Sequence, residues 1–224
     1  MRQEISTVAL MAGLPERLVT YGARLEPFLL SLKRMHPTSL LSFVQGDSLS
    51  VEIEDTDLLF IDTKHTAEQL SSELSKHASK VRRWIVMHDT QIYGEHGEGG
   101  GPGLLVALRQ FMQNNPEWSV FYHAQNNHGL TVITRDPEDK PKLPSKLTMA
   151  NNFAKAVAEH VMDGIKDVDH DTLEQRLAIC TMCDQRNGNR CAVCGCPADS
   201  KARWRSEYCP LGKWPVVEEL TLAQ

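Results

Sequence analysis

Two short apolar runs, each followed closely by an aspartate, constrain this sequence most. Residues 58–61 lead directly to Asp62, and residues 84–87 lead to Asp89. A run of about four apolar residues bounded by polar ones is typical of a strand buried on both faces. Residues 66–77 between the runs have a helical pattern. Because ligands of open α/β sheets bind at the carboxyl ends of the strands, we expect both aspartates to meet at one edge.

Further predicted helices and strands flank this strand–helix–strand unit. Apolar spacings of three and four residues predict helices, and short apolar runs predict strands. The predicted helices cover residues 6–13, 26–35 and 104–112, and the predicted strands cover residues 17–21, 40–44, 118–123 and 129–134. Ser6 or Thr7 is the expected N-cap of the first helix. This alternation, with its final hairpin, predicts an α/β fold with a mostly parallel sheet and one antiparallel edge.

Composition divides the chain into four segments. Residues 1–136 form the α/β domain, and residues 137–148, with three prolines and mixed charge, read as a linker. Residues 149–178 are a predicted helical connector, in which a capping box begins at Asp171. Residues 179–215 form a separate cysteine-rich module, too small and too poor in large apolar residues to fold without a staple.

The motifs and their order resemble a known family. They are the turn at residues 46–48, residues 60–62 with His65, residues 88–90, and the glycine-rich approach to the helix at residues 101–109. Together they resemble class I S-adenosylmethionine-dependent methyltransferases, nearest to the cephalosporin-hydroxylase-like and rhamnosyl O-methyltransferase-like branch. The resemblance covers roughly residues 5–135, more than half of the chain, as one domain would. It implies a Rossmann-like sheet and methyl transfer to a hydroxyl of a sugar or another small molecule.

The resemblance also implies roles for three residues of the central unit. Asp62 and Asp89 would hold Mg²⁺ beside the methyl acceptor, and His65 would take part in catalysis with them. Mg²⁺ prefers carboxylate and water oxygens, so two aspartates at adjacent strand ends suit it. The alternative is that each aspartate caps a following helix. His65 and His88 have the alternative of a hydrogen-bonded structural role, which is also how we interpret His123 and His128.

The resemblance implies cofactor contacts as well, with departures. Ser6, Asp47 and Ser48 would contact S-adenosylmethionine, the last two on its adenine side. The family's first strand and glycine-rich turn should precede Ser6, yet only five residues do, and Gly22 stands where an acidic residue usually binds the ribose. The first strand normally lies mid-sheet, so an open slot is expected between residues 17–21 and 58–61. We expect a truncated form of a longer protein, with lost catalysis as the alternative.

The cysteines predict a metal site of a different kind. Two C-x-x-C pairs stand close together, and a tetrahedron of four thiolates is the preferred structural Zn²⁺ site. The six cysteines are Cys180, Cys183, Cys191, Cys194, Cys196 and Cys209. One zinc with two spare thiols, two zincs sharing sulfurs, an iron–sulfur cluster and free buried thiols remain open.

Charge and hydropathy limit the partners. The net charge is −5, which does not favour a nucleic-acid-binding surface. Basic residues in the cysteine-rich module could contact a polyanion, but a solvated surface is the favoured interpretation. No apolar run approaches the roughly eighteen residues needed to span a bilayer, and no signal peptide is evident. We therefore expect a cytoplasmic protein with a small-molecule or glycan acceptor and no membrane partner; homo-oligomerisation is left open.

The glycine-rich segment at residues 94–103 is predicted to be a flexible loop. It is either a lid over the ligand crevice or an ordinary solvent loop.

Overall fold

The structure is a computed structural model that describes residues 2–25, 27–36 and 40–215, without the side chains of residues 2–5 and Lys33. It has a mixed α/β architecture. The helices are α1 Arg2–Ala12, α2 Pro27–Met35, α3 Ala67–His77, α4 Leu104–Asn114, α5 Lys146–Met162, α6 His170–Thr181 and α7 Ala198–Arg203. The strands are β1 Leu18–Gly22, β2 Leu41–Gln45, β3 Thr56–Ile61, β4 Val81–His88, β5 Ser119–Ala124, β6 Leu130–Thr134, β7 Arg186–Asn187 and β8 Arg190–Cys191.

A four-stranded sheet in the order β3-β4-β6-β5 forms the centre of the molecule. β3 and β4 are parallel, while β4–β6 and β6–β5 are antiparallel, so the predicted C-terminal hairpin is confirmed. β4 has a neighbour on each side, which explains the apolar run at residues 84–87, and Ile85 is fully buried.

β1 and β2 pair in parallel as a separate two-stranded sheet. In the described part of the chain, β1 pairs with β2 alone and β3 pairs with β4 alone. Both strands therefore keep one edge without a strand partner, as the open slot in the sequence-based topology predicts. The two parallel pairs, β1–β2 and β3–β4, therefore belong to separate sheets and not to the one sheet that the sequence predicts.

The core lies between the four-stranded sheet and two helices. Thr66 caps α3 by accepting a hydrogen bond from the Gln69 amide. Leu70 and Leu74, one turn apart on α3, are almost fully buried. With the apolar face of α4 they cover side chains from the strands, in a cluster that includes Val81, Ile85, Met87, Leu104, Leu108, Met112, Trp118, Val120 and Ile133. This packing fixes the strand ends from which the site residues project.

Two predicted helix starts are wrong. α1 begins at Arg2, so neither Ser6 nor Thr7 is its N-cap; both lie within the helix because the residues before them are also helix-compatible. The N-cap of α6 is Asp169, whose carboxylate accepts hydrogen bonds from the Thr172 amide and hydroxyl, so the capping box at Asp171 does not form. The predicted start of α2 at Glu26 lies outside the described residues.

The segment predicted to be a linker is folded in part. Residues 137–139 form a short 3₁₀ turn, and Asp139 receives two hydrogen bonds from Arg83 of β4 at 3.0 and 2.7 Å. α5 begins at Lys146, inside the predicted linker 137–148, with Ser145 as N-cap. Charge pairing with the sheet therefore replaces the free linker that the prolines and mixed charge predict.

The cysteine-rich module packs on α5 and on the segment that precedes it. Asn152 of α5 donates a hydrogen bond to the Cys194 carbonyl at 2.8 Å, and Asn187 donates to the Pro141 carbonyl at 2.9 Å. Trp204 stacks on His160 with ring centroids 4.6 Å apart. No helix in the described part of the chain combines the length and the apolar character needed to cross a membrane.

Candidate functional site

Asp62 and Asp89 reach the same edge of the sheet. β3 and β4 run parallel with Ile61 opposite Met87, so the residues that follow both strands emerge together. Asp62, His88 and Asp89 each offer one ligand atom, and these atoms lie within 4.8 Å of one another. The expected meeting of the two carboxylates is confirmed, and His88 joins them.

Neither aspartate is a helix cap. The N-cap of α3 is Thr66, four residues beyond Asp62, and α4 begins well beyond Asp89 with Gly103 as its N-cap. The capping alternative is therefore wrong for both residues. Their carboxylates are available to the site instead.

Asp89 is the most buried member of the site. It is 2% exposed, and its backbone φ of 57° lies in the left-handed region that few non-glycine residues adopt. Its Oδ1 atom is buried and has no hydrogen-bond partner in the described part of the chain. A buried carboxylate oxygen without a partner is costly unless a cation neutralises it.

Three imidazole rings surround the Asp89 carboxylate. His65 Nε2 lies 3.0 Å from Oδ2, and His88 Nδ1 and His128 Nδ1 lie 3.2 and 3.3 Å from Oδ1. The interpretation of His128 as a purely structural residue missed this position at the end of the hairpin. His123 is structural as expected: it hydrogen-bonds the Thr131 hydroxyl at 2.8 Å, and burial lowers its pKa.

The glycine-rich loop contributes to the site through Glu98. The Glu98 carboxylate lies 2.6 Å from Nδ1 of His65, and the Glu98 amide donates to the His65 carbonyl. Tyr93 stacks on the same ring at 4.6 Å between centroids. Sequence reasoning missed Glu98 and Tyr93. The only available signal was an acidic residue within a glycine-rich loop that follows a candidate strand.

The base of this loop is held in place. The Ala67 amide donates to the Pro102 carbonyl, and a Cβ atom on Gly97 would lie 2.5 Å from the His65 carbonyl oxygen. Gly97 is therefore required for the close approach of loop and site. Gly99 and Gly100 have open space around them. The loop is thus more than a plain solvent loop.

The residues expected to contact the cofactor have internal partners. Asp47 accepts a hydrogen bond from the Leu49 amide at 2.7 Å in its own turn. Ser48 donates to the buried carboxylate of Glu73 at 2.6 Å, which Thr63 and Gln69 also contact. Ser6 is half-buried in α1. The cofactor contact of all three residues stays a prediction.

The six cysteines line one pocket of the C-terminal module. Burial raises the pKa of Cys180 to about 11 and also raises the pKa of Cys183. A hydrogen bond between Cys191 and Cys194 raises the pKa of the former and lowers that of the latter. Among the described residues, the sulfurs do not form a group of three within 4.8 Å. The predicted zinc site therefore requires the pocket to close further.

Several basic residues of the module have partners within it. Lys201 lies 2.8 Å from Glu207, and Lys213 donates hydrogen bonds to Asp184 at 2.9 Å and to the Cys183 sulfur at 3.2 Å. Arg190 donates to the Gly195 carbonyl at 2.6 Å. These contacts support a structural role over a nucleic-acid surface.

No protein-family model and no curated protein matches the chain. Among solved structures, it is similar to magnesium protoporphyrin IX methyltransferase from Synechocystis PCC 6803 with bound SAM, at 12% identity and a TM-score of 0.39 over 60% of this chain and 79% of that one. The same enzyme with bound SAH gives 13% identity and 0.39 over 60% and 82%. TM-scores at this level assign neither fold nor activity to the chain.

Proposed function

We propose that the chain is an S-adenosylmethionine-dependent O-methyltransferase assisted by a divalent cation, Mg²⁺ in the sequence-based expectation. The observation that carries the proposal is the convergence of Asp62 and Asp89 at the carboxyl edge of β3 and β4. The order of motifs that resembles class I methyltransferases supports the choice of reaction. Ligand binding at this edge is the general rule for open α/β sheets.

The residues at the sheet edge would have different roles in the reaction. The carboxylates of Asp62 and Asp89 would hold the cation, which would supply Lewis acidity that lowers the pKa of an acceptor hydroxyl. The methyl group would pass from the sulfonium of S-adenosylmethionine, which would become a thioether, to the hydroxyl oxygen, whose proton would go to solvent. Ile61, Met87 and Leu104 line the adjoining pocket with apolar surface. A sugar or another small metabolite that presents a hydroxyl is the proposed acceptor.

Calorimetry with S-adenosylmethionine tests cofactor binding, and transfer of a labelled methyl group to a panel of sugars and phenols tests the reaction. We expect saturable cofactor binding and transfer that a chelator abolishes. Asp57→Asn, an exposed change on β3 outside the site, is the control for the Asp62→Asn variant. Failure to bind the cofactor and to transfer the methyl group would refute the enzymatic proposal.

A non-catalytic binding module is the second candidate. The side chains of Asp47 and Ser48 form hydrogen bonds within the chain, which favours this alternative. The C-terminal module would then dock a protein or nucleic-acid partner. A pull-down with the full chain and with its Cys180→Ser variant distinguishes the two candidates. Only a docking role predicts that the variant loses specific partners and that neither protein binds the cofactor.

We also propose that the cysteine pocket binds zinc. Six free thiols that line one pocket support this proposal, and a cytoplasmic setting would keep the thiols reduced. Elemental analysis of the purified protein should find one or two zinc ions per chain. Iron in place of zinc would overturn the assignment.

A further inference from the structure

The sheet-edge site contains two buried atoms without hydrogen-bond partners in the described part of the chain. They are Oδ1 of Asp89 and Nε2 of His65. The two residues meet, with Nε2 of His65 3.0 Å from Oδ2 of Asp89. Nε2 also lies 3.6 Å from Oδ1 of Asp62. The contact is close, yet Nε2 of His65 and Oδ1 of Asp89 have no hydrogen bond within the described residues.

Glu98 decides which nitrogen of His65 carries the hydrogen. Its carboxylate can only accept, and it lies 2.6 Å from Nδ1, so Nδ1 carries the hydrogen. In the neutral ring the Nε2 lone pair then faces two carboxylates. The Nε2 lone pair and the two carboxylates then form a donor set that suits a divalent cation. The arrangement is that of a carboxylate–histidine–metal triad.

The ring has little freedom to turn away. It stacks on Tyr93, and its own carbonyl accepts a hydrogen bond from the Glu98 amide at 2.9 Å. The loop that carries Glu98 is tied to the start of α3 by the Ala67–Pro102 hydrogen bond. Glu98 is thus a positioning residue, which orients a nitrogen donor without facing the ion itself.

The imidazole ligands of the site determine which metal ion it prefers. His88 belongs to the group whose ligand atoms lie within 4.8 Å, together with both aspartates. With His65 the donors become two carboxylates and two imidazoles. Mg²⁺ prefers oxygen ligands and dehydrates reluctantly, whereas imidazole suits transition metals such as iron and zinc.

We propose that the site binds a divalent transition metal rather than Mg²⁺, through Asp62, Asp89, His88 and Nε2 of His65, with Glu98 holding His65. This inference rests on the proposed cation site but not on methyl transfer. It can therefore hold if the enzymatic proposal fails.

Mn²⁺ is the probe, because its hard character disfavours the cysteine pocket. The full chain, freed of metal by a chelator, is titrated with Mn²⁺ and followed by loss of the free-ion electron paramagnetic resonance signal. We expect one bound ion that an excess of Mg²⁺ does not displace. Spin-echo modulation from ¹⁴N should report directly coordinated imidazole. Bound Mn²⁺ without nitrogen modulation, or ready displacement by Mg²⁺, would overturn the proposal, as would absence of binding.

Variants separate the positioning role from general folding. Glu98→Ala should weaken Mn²⁺ binding roughly 10–100-fold, the usual cost of removing an outer-shell partner. Glu98→Gln, which retains an acceptor for Nδ1–H, should lose less. Glu95→Ala is the matched control, because Glu95 stands on the same loop but pairs with Arg109. Equal affinities of Glu98→Ala and Glu95→Ala, with melting curves unchanged, would refute the role of Glu98.

Discussion

The sheet edge and the cysteine module gather candidate metal ligands in opposite ways. At the sheet edge, Asp62, His88 and Asp89 follow or end β3 and β4, and parallel pairing brings them together. His128 approaches from the hairpin and Glu98 from a loop. In the module, the ligands are neighbours in sequence and line one pocket. Yet, in the described part of the chain, only Asp62, His88 and Asp89 offer ligand atoms that all lie within 4.8 Å of one another.

The two sites differ in whether the fold fixes the positions of the ligands before a metal ion binds. The sheet-edge ligands project from a packed core, so their spacing is set before any ion binds. The module has a small apolar core, with Ala198 and Ala202 among its buried residues, and metal binding itself would supply folding free energy. We therefore expect metal removal to affect the folding of the module and only the function of the sheet edge.

The largest expected effect is in the module. Cys180→Ser should abolish zinc binding and expose the module to proteolysis, because structural zinc contributes on the order of 10 kcal/mol or more to small domains. Val193→Ala, a change at a half-exposed side chain in the second knuckle, should retain zinc. Limited proteolysis with elemental analysis measures both. A Cys180→Ser protein with full zinc content would remove this half of the comparison.

The next effect is at the sheet edge. Asp89→Asn should reduce Mn²⁺ affinity by more than the roughly 10–100-fold expected of outer-shell changes, because it removes a charged ligand. Asparagine tolerates the left-handed backbone at this position, so the fold should persist. Asp57→Asn serves as the control, since this carboxylate is exposed on β3. Unchanged Mn²⁺ affinity in Asp89→Asn would show that the carboxylate is not a ligand.

A smaller effect should come from the buried carboxylate beside the site. Glu73 is 1% exposed and accepts hydrogen bonds from Ser48, Thr63 and Gln69. Glu73→Ala should lower the free energy of unfolding by roughly 1–3 kcal/mol, because it removes the buried acceptor that three part-buried hydrogen bonds share. Glu68→Ala, on the exposed face of the same helix, should change it by about 0.5 kcal/mol or less. Denaturant unfolding compares them, and equal values would contradict the structural role of Glu73.

The smallest expected effect is at residues 137–139, the short turn that Arg83 anchors to the sheet. The hydrogen bond from Arg83 lowers the pKa of Asp139 below that of a free aspartate carboxyl group. A lowered carboxyl pKa contributes stability that is present above that value and is lost as the pH falls through the folded-state pKa. The difference in melting temperature between the native chain and Asp139→Asn should therefore be constant at neutral pH and shrink in acid. A difference that grows in acid would contradict this.

Sequence patterns revealed the parts of the fold that depend on local chemistry. The apolar runs before Asp62 and Asp89 predicted two adjacent parallel strands, and both aspartates reached one edge. The approach of His128 and Glu98 was not predictable, because each lies on a turn or loop whose path depends on tertiary packing. The Arg83–Asp139 contact was hidden for the same reason. At α6, two nearby aspartates competed for the cap, and propensity alone could not choose Asp169.

The most direct test is an anomalous difference map from crystals of the full chain soaked in Mn²⁺. A single strong peak within about 2.5 Å of the Asp89 carboxylate, in contact with Asp62 and His88, is the predicted result. Its presence would show that strand pairing has built a cation site at the sheet edge. A map with Mn²⁺ only at the cysteines, or with no peak beside Asp89, would contradict the account.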